Sequence, residues 1–103
     1  MNYTVTTEDL SFEWDVNKAS INESKHGVSF MEAHSAFFDV DAKLIADPDH
    51  SADEDRFILL GISFENRIIL VCHCYRGDGE VVRIISARIA TRRESQNYMA
   101  GVH

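Results

Sequence analysis

Residues 68–75 read Ile-Ile-Leu-Val-Cys-His-Cys-Tyr, an almost continuously apolar run rich in β-branched and aromatic side chains. It is too short for a buried helix and suits a strand at the centre of a sheet, covered on both faces. Phe57–Ser63 and Glu80–Ala87 flank it with the same character. Glu65-Asn66 and Gly77-Asp78-Gly79 separate the three segments and have the length and residue types of hairpin turns. An antiparallel meander is therefore expected over the second half of the chain.

The first half reads differently. Met1 to Ser11 is polar and without period, and is expected as a loose arm or a short edge strand. Phe12 and Trp14 alternate with Glu13 and Asp15, as in a short strand with its aromatics inward. Asp15 is a good N-cap for a helix running to His26, which Gly27 would close. Ser29 and Glu32 have capping-box spacing ahead of Phe30, Ala33 and Phe37. Asp39 to Asp55 carries six Asp, one Glu and the only proline, Pro48, so it reads as an exposed loop with a short strand at Lys43–Ala46. Thr91 and Glu94 repeat the capping-box spacing before a last helix that Tyr98 would pin down. The expectation is one α+β domain over residues 1–103, with residues 1–11 a loose arm. Its small antiparallel sheet would have the N-terminal helices on one face and a C-terminal helix after it.

An apolar fraction of 45% excludes a disordered chain. No apolar run approaches a membrane span and no secretory signal opens the sequence, so no membrane association and a cytoplasmic location are expected. Cys72 and Cys74 would share a strand face, which is poor geometry for a mutual disulfide. They read as small core residues, and no metal or cofactor is expected. A metal site built on Cys72, His73 and Cys74 ranks last.

The net charge of −7 argues against nucleic acid as a partner, but it is unevenly placed. Residues 1–55 hold three Lys and no Arg against thirteen acids, whereas residues 56–103 hold seven Arg against four acids. Arg83, Arg88, Arg92 and Arg93 cluster where a strand runs into a helix start. A helix N-terminus adds partial positive charge, and anions such as phosphate suit that place. The competing reading is that the arginines pair with acids elsewhere in the chain.

Four blocks occur in order: Phe12-Glu13-Trp14-Asp15; Lys18, Asn22 and Lys25-His26-Gly27-Val28-Ser29-Phe30 with Glu32-Ala33; Glu54-Asp55-Arg56-Phe57 with Gly61; and Arg83 to Tyr98. Together they resemble the BrnT family of bacterial type II toxins. The resemblance implies a RelE-like fold, an endoribonuclease that arrests translation, and neutralisation by a BrnA-like antitoxin. It aligns Glu54 and Arg56 with the family's E-x-R element and raises Lys25 and His26 as site candidates.

RNA cleaves itself when a 2′-OH attacks the adjacent phosphorus, given a base, cationic donors around the phosphate and an acid at the leaving oxygen. No metal is required. Arg56, Arg76, Arg83 and Arg88 can line one sheet edge, with Glu54 as base or orienting group. Arg92 and Arg93 would extend the surface for substrate. A structural ion-pair network is the alternative for these arginines. Lys25 and His26 would also complement the C-terminal dipole of their helix, which alone would explain them. Imidazole suits acid or base work near neutrality. The competing function is a non-enzymatic interaction domain whose arginine cluster docks an acidic protein. Operator DNA is expected to be bound only through the antitoxin.

Overall fold

The computed structural model describes residues 1–7, 9–47 and 56–101. Six strands form one sheet: β1 (Asn2–Thr7), β2 (Leu10–Asp15), β3 (Lys43–Ala46), β4 (Arg56–Ile62), β5 (Ile68–Arg76) and β6 (Val81–Ile89). The helices are α1 (Val16–His26), α2 (Phe30–Ser35), extended by a 3-10 turn at Ala36–Phe38, and α3 (Arg92–Ala100). Spatial order is β1-β2-β6-β5-β4-β3. β5 and β6 form the central pair, where the apolar run placed them.

The sheet is mixed, not antiparallel. β2 runs parallel to β6, with Phe12 opposite Val82 and Glu13 opposite Arg83. The reason lies in the connection: α1, α2 and the β3–β5 meander intervene between β2 and β6, and a crossover of that length permits parallel pairing. Of the two readings of the first residues, a loose arm or a short edge strand, the structure has the strand: β1 pairs along β2 from Asn2 opposite Asp15 to Thr7 opposite Leu10. Tyr3 stacks on Trp14 at 5.1 Å between ring centroids, which holds this edge strand down.

Local signals act as their chemistry requires. Asp15 accepts from the Asn17 and Lys18 amides, and Gly27 closes α1 at φ 70°. Ser29 accepts from the Glu32 amide, but the Glu32 carboxylate turns away to Ser63 and Arg67, so only half of that capping box forms. Both halves form at Thr91 and Glu94. Asn66 takes a left-handed φ of 62° in the β4–β5 turn.

One face of the sheet holds the core. Phe12, Trp14, Leu59, Ile69, Val71, Val82, Ile84 and Ala87 pack there against Val28, Phe30, Ala33 and Ala36. His73 is fully buried on the same side, edge-on to Phe37 at 4.7 Å. The other face is only partly covered, contrary to the expectation for β5: Leu70 and Cys72 are half-buried. α3 lies against that outer face, with Asn97 and Ala100 over Ile58, Leu60 and Leu70. The Tyr98 hydroxyl donates to Asp39 Oδ2, which also accepts from the Ile62 amide, and this anchors the helix.

A cationic sheet face and the free edge of β6

The disposition of the arginines depends on one irregularity. His73 faces Ile84 and Cys72 faces Ser86, so β6 carries an extra residue, Ile85, at a bulge. In a regular strand Arg83 and Arg88, five residues apart, would point to opposite faces. The bulge resets the alternation. Val82, Ile84 and Ala87 face the core, whereas Arg83, Ser86 and Arg88 share the outer face.

The row Glu13–Arg83–Cys74–Arg56 then crosses four strands on that face. Arg83 Nη1 donates to Glu13 Oε2, and its Nη2 to Asn2 Oδ1 at 3.4 Å. Arg76 Nε approaches the same Glu13 oxygen at 3.8 Å. One carboxylate on β2 thus gathers the two arginines that flank the β5–β6 turn. Arg56 stands at the start of β4, close enough to Cys72 for its charge to act on the thiol. Burial nevertheless dominates and pushes that thiol up, with the Asp47 carboxylate adding to it, so Cys72 is a poor nucleophile. Arg88 forms two bonds to Glu94, at 2.8 and 2.9 Å. Its hydrogen bonds hold the Glu94 carboxyl down at about 2. Arg92 and Arg93 are exposed in the first turn of α3. Glu54 lies outside the described residues.

Lys25 and His26 end α1, exposed. They stand over the edge of β6 beyond the point where β2 stops pairing with it. With Lys18, Ile21, Asn22, Ile85 and Ser86 they line an open pocket of about 220 Å³. Asn22 builds this junction. Its Nδ2 donates to the carbonyls of Val28 and Ala87 at 2.9 and 2.8 Å, and its Oδ1 accepts from the Ala87 amide at 3.1 Å. A side-chain amide thereby replaces a neighbouring strand along the free edge of β6. Ser86 connects the two halves: it lines this pocket and lies beside Cys72 on the arginine face.

Glu13, Lys18, Asn22 and Ser86 did not stand out as site residues in the sequence. The signal for Glu13 was its place between Phe12 and Trp14, which fixes the face it takes but not its partner seventy residues away. The remaining expectation resolves geometrically. His73 faces the core while Cys72 and Cys74 face outward, so the three do not converge. Among the described residues, no helix is long and apolar enough to cross a membrane.

The fold and site define a small α+β domain with a mixed sheet, whose outer face gathers arginines beside a helix end bearing lysine and imidazole. Residues 14–94 match the family model described as "Ribonuclease toxin, BrnT, of type II toxin-antitoxin system". The crystal structure of the Brucella abortus ribonuclease toxin BrnT superposes with a TM-score of 0.61 at 32% identity, over 77% of this chain and 94% of that one. Comparison with curated proteins gives no match. The chain belongs to the BrnT family of ribonuclease toxins of type II toxin–antitoxin systems.

Proposed function

We propose that this toxin arrests translation by cutting RNA without a metal, at the surface that wraps the free edge of β6. The observation that carries the reading is the meeting of Lys25 and His26 with Ser86 on the strand that bears Arg83 and Arg88. A phosphate at that edge would have guanidinium donors on the sheet side and lysine ammoniums on the helix side. In the proposed reaction a base removes the 2′-OH proton, the oxygen attacks phosphorus, and the P–O5′ bond breaks as an acid protonates the leaving oxygen. The products are a 2′,3′-cyclic phosphate and a 5′-OH. His26 serves as acid or base, and Glu54 as its counterpart or as an orienting group. Arg56, Arg76 and Arg83 stabilise charge on the phosphate; Lys25, Arg88, Arg92 and Arg93 hold the flanking backbone. The fold is read as RelE-like and the site of action as the cytoplasm.

The partner in this reading is a BrnA-like antitoxin, and operator DNA is bound through it. Glu13 on Arg83 and Glu94 on Arg88 already supply carboxylates where a phosphate would sit. An acidic antitoxin segment would inhibit by the same exchange. The test is cleavage of RNA by purified toxin, freed of its partner, in the presence of a chelator. A cyclic-phosphate product is expected; strict dependence on added divalent ion would overturn the mechanism.

A further inference from the structure

α1 carries Lys18, Lys25 and His26, yet apolar burial does little to hold it, for Asn22 is its one buried residue. Its place over β6 is set by polar links instead. Asp15 caps the first turn, and Asn22 bonds to both backbone groups of Ala87. A third link reaches the far end. Arg67, in the β4–β5 turn, donates from Nη2 to the Gly27 carbonyl at 2.9 Å. Gly27 is the left-handed residue that closes α1, directly after His26. The next carbonyl, that of Val28, accepts from Asn22 at 2.9 Å. The chain leaving the helix is thus gripped at two successive carbonyls, once from within α1 and once from the start of β5.

The donor is itself held. Glu32, in α2, keeps only 3% of its surface in water. Its Oε2 accepts from Arg67 Nε at 2.9 Å and from Ser63 Oγ at 2.6 Å, and its Oε1 accepts from Arg67 Nη2. Burial pushes this carboxyl up, but the Arg67 and Ser63 bonds outweigh it and hold it below its ordinary value. The Ser63 amide donates to the Arg67 carbonyl at 2.8 Å and the Ala90 amide to the Ile68 carbonyl at 2.9 Å, which pins the turn to the sheet. A buried carboxylate in an ion pair is a costly way to fill space, since apolar side chains of like volume often do as well. What it provides here is a guanidinium fixed in plane by two bonds, with an N–H left over for Gly27. We infer that Arg67 is a positioning residue for RNA cleavage: held by Glu32, it sets through Gly27 where the end of α1 places Lys25 and His26 beside Ser86. This role rests on the reading that His26 moves a proton at that edge, and it names the residue that fixes the imidazole's distance. Such distances matter, because a displacement of about 1 Å can cost about 100-fold in rate.

Single-turnover cleavage by the purified free toxin is the experiment. Arg67→Gln alone would strand Glu32 as a buried charge, so it is made together with Glu32→Gln, which keeps an acceptor for Ser63. Arg67→Lys keeps a donor that can serve Glu32 and Gly27 from one ammonium, as Nη2 does. The double variant should cut about 30-fold more slowly at saturating toxin, with RNA affinity within about threefold of the parent. Arg67→Lys should recover most of that rate. In a His26→Ala background the double change should cost no more than about twofold further, because residues that act through one another are not additive. Thermal melts report that each variant is folded at the assay temperature. If the double variant is not, Glu32→Gln alone, which leaves Arg67 in place with its carboxylate gone, should slow the parent about fivefold and the His26→Ala toxin hardly at all. Equal slowing in both backgrounds would overturn the inference and leave the network only a part in holding the fold. A double variant as fast as its parent, beside a slow His26→Ala, would overturn the inference alone. His26→Ala as active as the parent would strike the proton-transfer reading first, and the positioning role with it.

Discussion

Arg88 and Glu94 meet head-on, Nη1 to Oε1 at 2.8 Å and Nη2 to Oε2 at 2.9 Å, across the joint between β6 and α3. The same Oε1 accepts from the Thr91 amide, so one carboxylate caps the helix and holds the arginine. Glu94 thereby ties the start of α3 to β6 and occupies the Arg88 guanidinium.

Glu94→Gln keeps the cap and removes the charge. Arg88 is released, so RNA should bind more tightly at low salt, and the slope of log affinity against log salt should steepen by about 0.7 per added phosphate contact. Stability should fall by about 1 kcal/mol, because the pair is partly exposed and screened. The folded-state carboxyl sits at about 2, below its ordinary 4.5, so its contribution is present above pH 4.5 and is lost as pH falls toward 2. Acid titrations of the two proteins should therefore differ in that window and converge below it.

Glu13 plays the matching part at the other end of the face, where it holds Arg83 and approaches Arg76. Glu13→Gln should lower KM for RNA and steepen its salt dependence, with kcat little changed. Arg83→Ala should do the opposite, lowering kcat by about 100-fold if it stabilises charge on the phosphate. Steady-state cleavage at several salt concentrations separates the two. An Arg83→Ala enzyme as active as its parent would restrict Arg83 to a structural role.

Much of this was legible in the chain. Asp15, Gly27, Ser29 and Thr91 mark helix ends because capping is local chemistry. The apolar run at 68–75 marks the centre of the sheet because burial leaves a compositional trace. Two things left no such trace. The parallel pairing of β2 with β6 joins residues some seventy positions apart, beyond the reach of any local signal. The bulge at Ile85 is one extra residue with no glycine to announce it, yet it determines that Arg88 shares a face with Arg83. The arginine cluster was therefore readable as composition but not as geometry.

His73 should set the stability of the protein in mild acid. Burial dominates and pushes its imidazole down to about 4, while the Val71 carbonyl opposes the shift. The unfolded chain takes up a proton near pH 6.5 and the folded one does not. Stability should thus be level above pH 6.5 and fall as pH drops toward 4, by on the order of 3 kcal/mol. His73→Phe fits the surrounding Phe37, Phe57 and Tyr75 rings and should remove that slope while leaving the lower window of Glu94 in place. Urea melts at half-unit pH steps would show it. A slope that survives the substitution would have to come from another group.

Asn22 and His26 line one pocket yet should fail in opposite ways. His26 is exposed, so His26→Ala should change stability by no more than about 0.5 kcal/mol. If its imidazole moves a proton in the reaction, single-turnover cleavage should slow by about 100-fold with RNA affinity nearly unchanged. Asn22 is buried, and its amide donates to two carbonyls. Asn22→Asp turns a carboxylate against the Val28 and Ala87 oxygens, and should cost about 3 kcal/mol or more. The free edge of β6 would lose its partner, carrying Ser86 and Lys25 out of register. Thermal melts beside single-turnover rates distinguish the two variants. His26→Ala with full activity would leave the imidazole only its place at the end of α1, and the proton transfer would pass to another group on this edge.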